Sequence, residues 1–275
     1  RLLDYMGIPL PRYRGGAHYT WMILREDRDS GCCLQVINTA MVQGVFDSGE
    51  IVKSRSFQFP QTARIPDDYF DAEVEQAISF IKEFLVEVQQ GKDFFLEEID
   101  ESKSLYLPRL YTLKQGWIDW SWNGRDIERF IRAFDSPYMG ASTTMDGDRV
   151  FLKDAHLEGV EAPFHPFQSG LITRLTEEEG AVVATRGGHL HIKSVLDEEG
   201  QSLLSALNTG MRFFTPSDQL EKALTYKATY GTKGLTSEGD DGPLAPRLLK
   251  GKKVSLRPVT LADCNQTYVD WLNNP

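Results

Sequence analysis

Between residues 140 and 195 the chain breaks into short β-prone runs, at 140–144, 149–153, 170–176, 180–185 and 189–195, divided by turns rich in Gly and Asp. Runs this short cannot bury a face alone. Spaced this closely, they predict strands that pair with their neighbours and form a small barrel. A helix beginning near Asn123 precedes them and carries Ile127, Phe130, Ile131 and Phe134 on one face. The texture changes after Pro137, which marks the passage into the β-rich part.

Upstream the pattern is different. Residues 1–16 read as the end of a strand and a tight loop, LPRYRGG at 10–16, where Pro9 and Pro11 bar helix and Gly15-Gly16 permit unusual dihedrals. A helix is predicted from about Ala17 to Leu24. The apolar run CCLQVI at 32–37 predicts a buried strand, and VFDSGEIV at 45–52 predicts a turn at Asp47-Ser48-Gly49 leading into another strand. Residues 71–90 predict a long helix. Val74, Ala77, Ile78, Ile81, Leu85 and Val88 recur at three- and four-residue steps, with Asp71 as N-cap and Gly91 just past the end. Strands alternating with helices in this way imply an α/β layer with a largely parallel sheet.

The charged segment from Gly91 to Lys114 reads as a linker between the two parts. Residues 196–248 are polar, with one helix expected at 217–229 and a second linker at 237–246, SEGDDGPLAP. The last block, KKVSLRPVTLADCNQTYVDWLNN, predicts a strand and then a helix opening at Thr260. Arg1 at one end and Asn273-Asn274-Pro275 at the other suggest a stretch cut from a longer protein.

Composition narrows the function classes. Hydrophobic residues make up 41% and charged residues 25%, as in ordinary soluble domains, and no apolar run is long enough to span a membrane. The net charge of −10 repels phosphate backbones and disfavours a nucleic acid as the main partner. The three cysteines, Cys32, Cys33 and Cys264, form neither a disulfide framework nor a metal-ligand spacing, which fits a reducing, cytoplasmic setting. His156 and His165 flank a loop, and His189 and His191 alternate along one strand face. Without a third ligand nearby, no metal site is expected.

Three stretches together resemble a known family. LPRYRGG and the DSG turn at 47–49 resemble the catalytic half of folate-dependent formyltransferases. The stretch GWIDWSWNGRDIERFIRAFDSPYMGAST at 116–143, with the hairpin ATRGGHLHIKSV at 184–195, resembles the barrel domain that follows it in methionyl-tRNA and sugar-nucleotide formyltransferases. The final block resembles the start of a GNAT-like acetyltransferase. The resemblance implies the C-terminal part of a Rossmann-like α/β domain over 1–98, a linker over 99–115 and an OB-like barrel over 116–197. A helix with an acidic linker follows over 198–246, and the acetyltransferase-like start over 247–275. It implies N10-formyltetrahydrofolate as the formyl donor and an amine as acceptor. That amine belongs to a nucleotide-linked amino sugar, or alternatively to methionyl-tRNA, and a homodimer is left open.

Formyl transfer to an amine needs a group to take the amine's proton, a donor for the developing oxyanion, and a proton for the departing nitrogen. In the family an Asn and a His stand two residues apart before the proline loop, with an Asp at the DSG-like turn. Here the resemblance puts Asp47 at the Asp position, but Asp4 and Met6 stand where the Asn and His belong. Met exchanges no proton, and an ionised Asp donates no hydrogen bond. Three readings stay open. The domain is a silent, non-catalytic relative; or Asp4 and Asp47 form a working carboxylate pair; or His18, just past the loop, stands in. Arg12 and Arg14 are candidates for a substrate phosphate.

Overall fold

The computed structural model describes residues 2–42, 45–159, 164–176, 178–227, 249–250 and 255–256. The chain divides into two units, residues 1–229 and 230–275.

The first unit opens with β1 (Leu3–Met6), the proline loop, the short β2 (Arg14–Gly15) and α1 (His18–Arg25). Then follow β3 (Asp29–Val36), α2 (Thr39–Val42), β4 (Ile51–Gln58) and α3 (Pro66–Gln89). The sheet order is β1-β3-β4, and both pairings are antiparallel. This corrects the expectation of a largely parallel sheet. Parallel neighbours need a crossover that packs back on the sheet. Here each strand instead runs back beside its neighbour.

The two sheet faces have different fates because side chains alternate along a strand. Tyr5, Cys32, Leu34 and Phe57 pack against Phe80, Ile81 and Phe84 of α3. Asp4, Met6, Cys33 and Gln35 occupy the other face, with Asp4 opposite Gln35 and Met6 opposite Cys33.

Helix α3 starts five residues earlier than predicted, with Pro66 in its first turn. Asp68 rather than Asp71 serves the N-terminus, its carboxylate accepting the N–H groups of Ile65 (3.1 Å) and Arg64 (2.7 Å). Gly91 follows the end with φ +73°, as its position suggested. Within the predicted stripe Ile81 packs on the sheet, whereas Val74, Ile78, Leu85 and Val88 are exposed. Leu85 is 58% exposed whereas Phe80 is fully buried. At 3.6 residues per turn Phe80 and Leu85 lie about 140° apart.

The predicted linker is stitched down. Within it β5 (Tyr106–Leu107) pairs in parallel with β2, and Glu97 bridges to Ile51. After α4 (Thr112–Gln115) comes α5 (Gly124–Ala133), which begins near Asn123 as predicted and is capped by it, the Asn123 side chain accepting the Asp126 N–H at 3.0 Å. Ile127 and Ile131 are fully buried, each contributing about 1.5–3 kcal/mol of apolar burial. Gly124 lets the helix approach the sheet, since a Cβ there would lie 2.2 Å from Thr185 Oγ1.

The β-rich part holds β6 (Ala141–Met145), β7 (Asp148–Gly159), β8 (Ile172–Thr176), β9 (Gly180–Thr185), β10 (Gly188–Leu196) and β11 (Phe213–Phe214). They form one sheet in the order β11-β6-β7-β10-β9-β8, with antiparallel pairings. The sheet curls until its edges meet. Leu171 bridges to Arg212, Ile172 N–H donates to Met211 O (2.8 Å), and Phe213 N–H donates to Gly170 O (2.9 Å). Strand β7 outruns its predicted end at 153, where Asp154 adopts φ +48° and bonds through its N–H to Asp135 (2.7 Å). Helix α6 (Ser217–Thr225) closes the described part of the first unit. One hydrophobic core runs from Tyr13, Met22 and Ile23 through Ile127 and Ile131 to Leu190, Ile192 and Phe213.

In the second unit β12 (Leu249–Lys250) pairs with β13 (Ser255–Leu256) in antiparallel fashion. The linker at 237–246, the helix predicted from Thr260, Cys264 and most of the acetyltransferase-like block lie outside the described residues. Among the described residues no helix is long and apolar enough to cross a membrane.

Candidate functional site

The face of the β1-β3-β4 sheet turned away from α3 carries Asp4, Met6, Cys33 and Gln35. Asp4 on β1 and Gln35 on β3 are paired across the ladder, so their side chains emerge together. Gln35 is fully buried, and its Nε2 makes a long hydrogen bond, 3.5 Å, to Asp4 Oδ2. Its Oε1 is buried and has no hydrogen-bond partner among the described residues.

Asp47 enters from the turn between β3 and β4. Its φ of +55° places it in the left-handed region, which Asp tolerates better than most residues. Asn38 pins the turn by donating to Ser48 O (3.0 Å) and accepting from Met41 N–H (2.9 Å). Gly49 is required by a close approach, because a Cβ there would lie 1.9 Å from Val36 O.

Electrostatics tie the two carboxylates to one cluster. Burial pushes the Asp47 carboxyl above the ordinary aspartate range. Arg14 and a Gly15 N–H oppose the shift, and the Asp4 charge adds to it. Cys33, on the same face, is pushed up to about 12, first by burial and further by Asp4 and Asp47. A thiol held there stays protonated at neutral pH and is no nucleophile. Met6 shares this face and supplies an apolar side chain with nothing to titrate.

Arg14 belongs to the cluster's rim. Its Nη2 donates to Asp47 O at 2.8 Å, while both terminal nitrogens grip Glu101, at 2.6 and 2.9 Å. The guanidinium thus fastens the proline loop to the turn and to the stitched-down segment. Arg12 is committed elsewhere, to Asp27 and the Tyr13 hydroxyl.

His18 sits in that second cluster. Its Nε2 is 3.4 Å from Ser30 Oγ, and its ring meets the Tyr13 ring edge-on at 5.1 Å between centroids. Burial lowers its pKa to about 4, with Asp27 pulling up and Arg12 pushing down. It is neutral at physiological pH, and the charges that act on it are Asp27 and Arg12 rather than the two site carboxylates. The geometry therefore brings Asp4, Asp47, Met6 and Arg14 together and sets His18 and Arg12 apart.

Sequence reasoning overlooked Gln35 and Asn38. The signal for Gln35 was present, as a lone polar residue inside the apolar run CCLQVI. The remaining histidines serve the barrel surface. His191 Nε2 lies 3.1 Å from Glu158 Oε2, His189 stacks near Phe164, and His165 Nδ1 accepts the Phe167 N–H at 3.1 Å. Among the described residues no cluster of His, Cys, Asp or Glu is arranged to hold a metal ion.

Comparison with known proteins matches residues 112–210 to the formyl transferase C-terminal domain. Methionyl-tRNA formyltransferase of Geobacter metallireducens is 30% identical over 203 residues, covering 72% of this chain and 58% of that protein. The counterpart in Nitrosomonas europaea is 27% identical over 217 residues, covering 78% of this chain and 63% of that protein. The chain thus spans less than two thirds of the length of these relatives. Among solved structures, HypX from Aquifex aeolicus in complex with tetrahydrofolic acid shares the fold, with a TM-score of 0.56 at 23% identity. The match covers 73% of this chain and 33% of HypX. Kinship along 203 residues and a matched domain at 112–210 together mean that the chain belongs to the formyltransferase family.

Proposed function

We propose that the protein carrying this chain transfers a formyl group from N10-formyltetrahydrofolate to a primary amine, and that Asp47 and Asp4 handle the protons. The observation that carries this reading is the approach of two carboxylates, Asp4 on β1 and Asp47 in the turn between β3 and β4, with Asp47 displaced upward by burial and by Asp4. The donor set suits the chemistry. One carboxylate accepts the proton that the amine must shed, and a carboxyl that retains its proton donates a hydrogen bond. A protonated carboxyl here fills the part of the family's Asn donor, and an ionised one fills the part of its His base. When bound, the folate would supply an activated formyl carbon. HypX, the fold neighbour, is known with tetrahydrofolic acid, which supports a folate donor. Arg14 would hold the turn that carries Asp47 in register while the acceptor binds.

We assign the acceptor to the amino group of a nucleotide-linked sugar. A net charge of −10 is poorly matched to the phosphate contacts from which tRNA affinity derives. Methionyl-tRNA is the second reading, favoured by the names of the sequence relatives. The test measures tetrahydrofolate release by the whole protein with a panel of dTDP- and UDP-linked amino sugars, and with methionyl-initiator tRNA. Turnover confined to an amino-sugar nucleotide, with no retention of tRNA on a filter at physiological salt, is the expected result. Salt-sensitive tRNA binding with formylation of its methionyl group would install the second reading.

A further inference from the structure

Gln35 is an odd occupant of its position. It is fully buried near the end of β3, between Leu34 and Val36, where an apolar side chain would leave no polar group unsatisfied. One end of its amide faces Asp4 Oδ2, and the other end, Oε1, is buried without a hydrogen-bond partner among the described residues.

We propose that Gln35 is a positioning residue that holds Asp4 in both of its charge states by rotating its amide. This rests on the reading that Asp4 exchanges a proton during formyl transfer.

With Asp4 ionised, Nε2 donates to the carboxylate, as the structure has it. Once Asp4 takes a proton, its O–H becomes a donor that needs an acceptor, and an NH2 group opposite it is the wrong partner. A half-turn about the last side-chain bond brings Oε1 to face Asp4. Because Oε1 has no partner among the described residues to give up, the rotation breaks no second hydrogen bond there. Few side chains can serve both states from one place. Glu would add a third carboxylate beside Asp4 and Asp47, Met or Leu would serve neither state, and Lys or Arg would fix Asp4 as an anion.

The titratable and charged groups around Asp4 allow the exchange. Asp47 faces it from the turn and Cys33 from β3, and Arg14 reaches Asp47 through its carbonyl. Cys33 remains a neutral thiol and takes no part in the exchange. The sheet pairing keeps Asp4 and Gln35 opposite each other throughout, so the only moving part is the amide itself.

The test follows the Gln35 side-chain NH2 by 15N–1H NMR, with its signal assigned by its loss in Gln35→Met. As Asp4 titrates, the downfield, hydrogen-bonded proton of that NH2 should move to the position of an unbonded amide. In Asp4→Asn the movement should vanish. This readout does not depend on turnover, so it stands even if the protein transfers no formyl group. In kinetics, Gln35→Met should lower kcat by up to about 10²-fold, the cost typical of a misplaced reacting group, with KM little changed and the pH–rate profile altered. If that variant does not fold, Gln35→Asn keeps the amide but withdraws it by one methylene, and should show the same kinetic split. An NH2 signal that stays in one bonded state across the Asp4 titration overturns the proposal. So does a pH–rate profile of Gln35→Met or Gln35→Asn that superimposes on that of the unmodified protein.

Discussion

Replacing Asp47 by Asn should abolish most activity and at the same time stabilise the protein at neutral pH. Asn has nearly the shape of Asp, tolerates the left-handed φ of +55° found here, and keeps an oxygen for the Gly15 N–H. The turn is therefore preserved and only the titration is lost. Removal of an acid/base group costs about 10²–10⁴ in rate, so kcat should fall within that range. The stability effect follows from the direction of the pKa. Burial raises the folded-state value, and the Asp4 charge adds to it against Arg14 and Gly15. Folded Asp47 thus holds its proton more tightly than unfolded Asp47. Its contribution to stability is complete below the unfolded value and is lost as pH rises through the folded one. At neutral pH the folded chain bears the cost of an ionised, partly buried carboxylate that Asn does not impose. The assays are tetrahydrofolate release under saturating substrates and thermal melting at pH 7 and near pH 3.5. The Asn variant should melt higher at pH 7, and the gap should close at the acid end. Activity within a few-fold of the parent, or a variant less stable at pH 7 than in acid, would refute the reasoning.

Other outcomes follow from the same structure. Asp4→Asn combined with Met6→His, which rebuilds the family's residues, should lower turnover, because it removes a working carboxylate. A gain in turnover, followed by the same tetrahydrofolate assay, would mark the domain as a silenced enzyme. Ile131→Ala on α5 should destabilise the fold by about 2–5 kcal/mol in urea unfolding, since the fully buried side chain sits in the core shared by both sheets. Cys33, with its thiol pushed up to about 12 and its sulfur buried, should resist iodoacetamide at pH 8 until denaturant is added, as mass spectrometry of the labelled peptide would show.

The β-rich half was legible because its signals are local. Turn residues between short runs placed β6 and β8–β10 within a few residues of where they lie, and Asn123 with its four apolar partners gave α5. The errors came where a local pattern has more than one tertiary use. The periodic stripe of α3 is real, yet Leu85 on it is exposed while Phe80, about 140° away around the helix, meets the sheet. Periodicity reports that a face is apolar but not which neighbour it meets. Alternating strands and helices likewise suggested parallel pairing, yet β1, β3 and β4 pair antiparallel, because the order of elements along the chain does not fix the direction in which a strand returns to the sheet.

The site was half legible for a related reason. Asp4 and Asp47 were found because a motif names their positions, and the motif carries no information about what surrounds them. His18, two residues past the loop in sequence, belongs to the Tyr13–Asp27 cluster, while Gln35, thirty-one residues from Asp4, touches it across the β1-β3 ladder. Sequence distance misleads in both cases, since helix α1 carries His18 away from the sheet face and strand pairing brings Gln35 onto it. A charge change on β1, from the amide and imidazole of the family to Asp4 and Met6, is therefore best judged by what stands opposite on β3. There a buried amide, Gln35, faces the Asp4 carboxylate. On the proposed reading this amide offers the hydrogen-bond donor that an ionised Asp4 cannot, which is the physical reason to take the Asp4/Met6 pair as a working site.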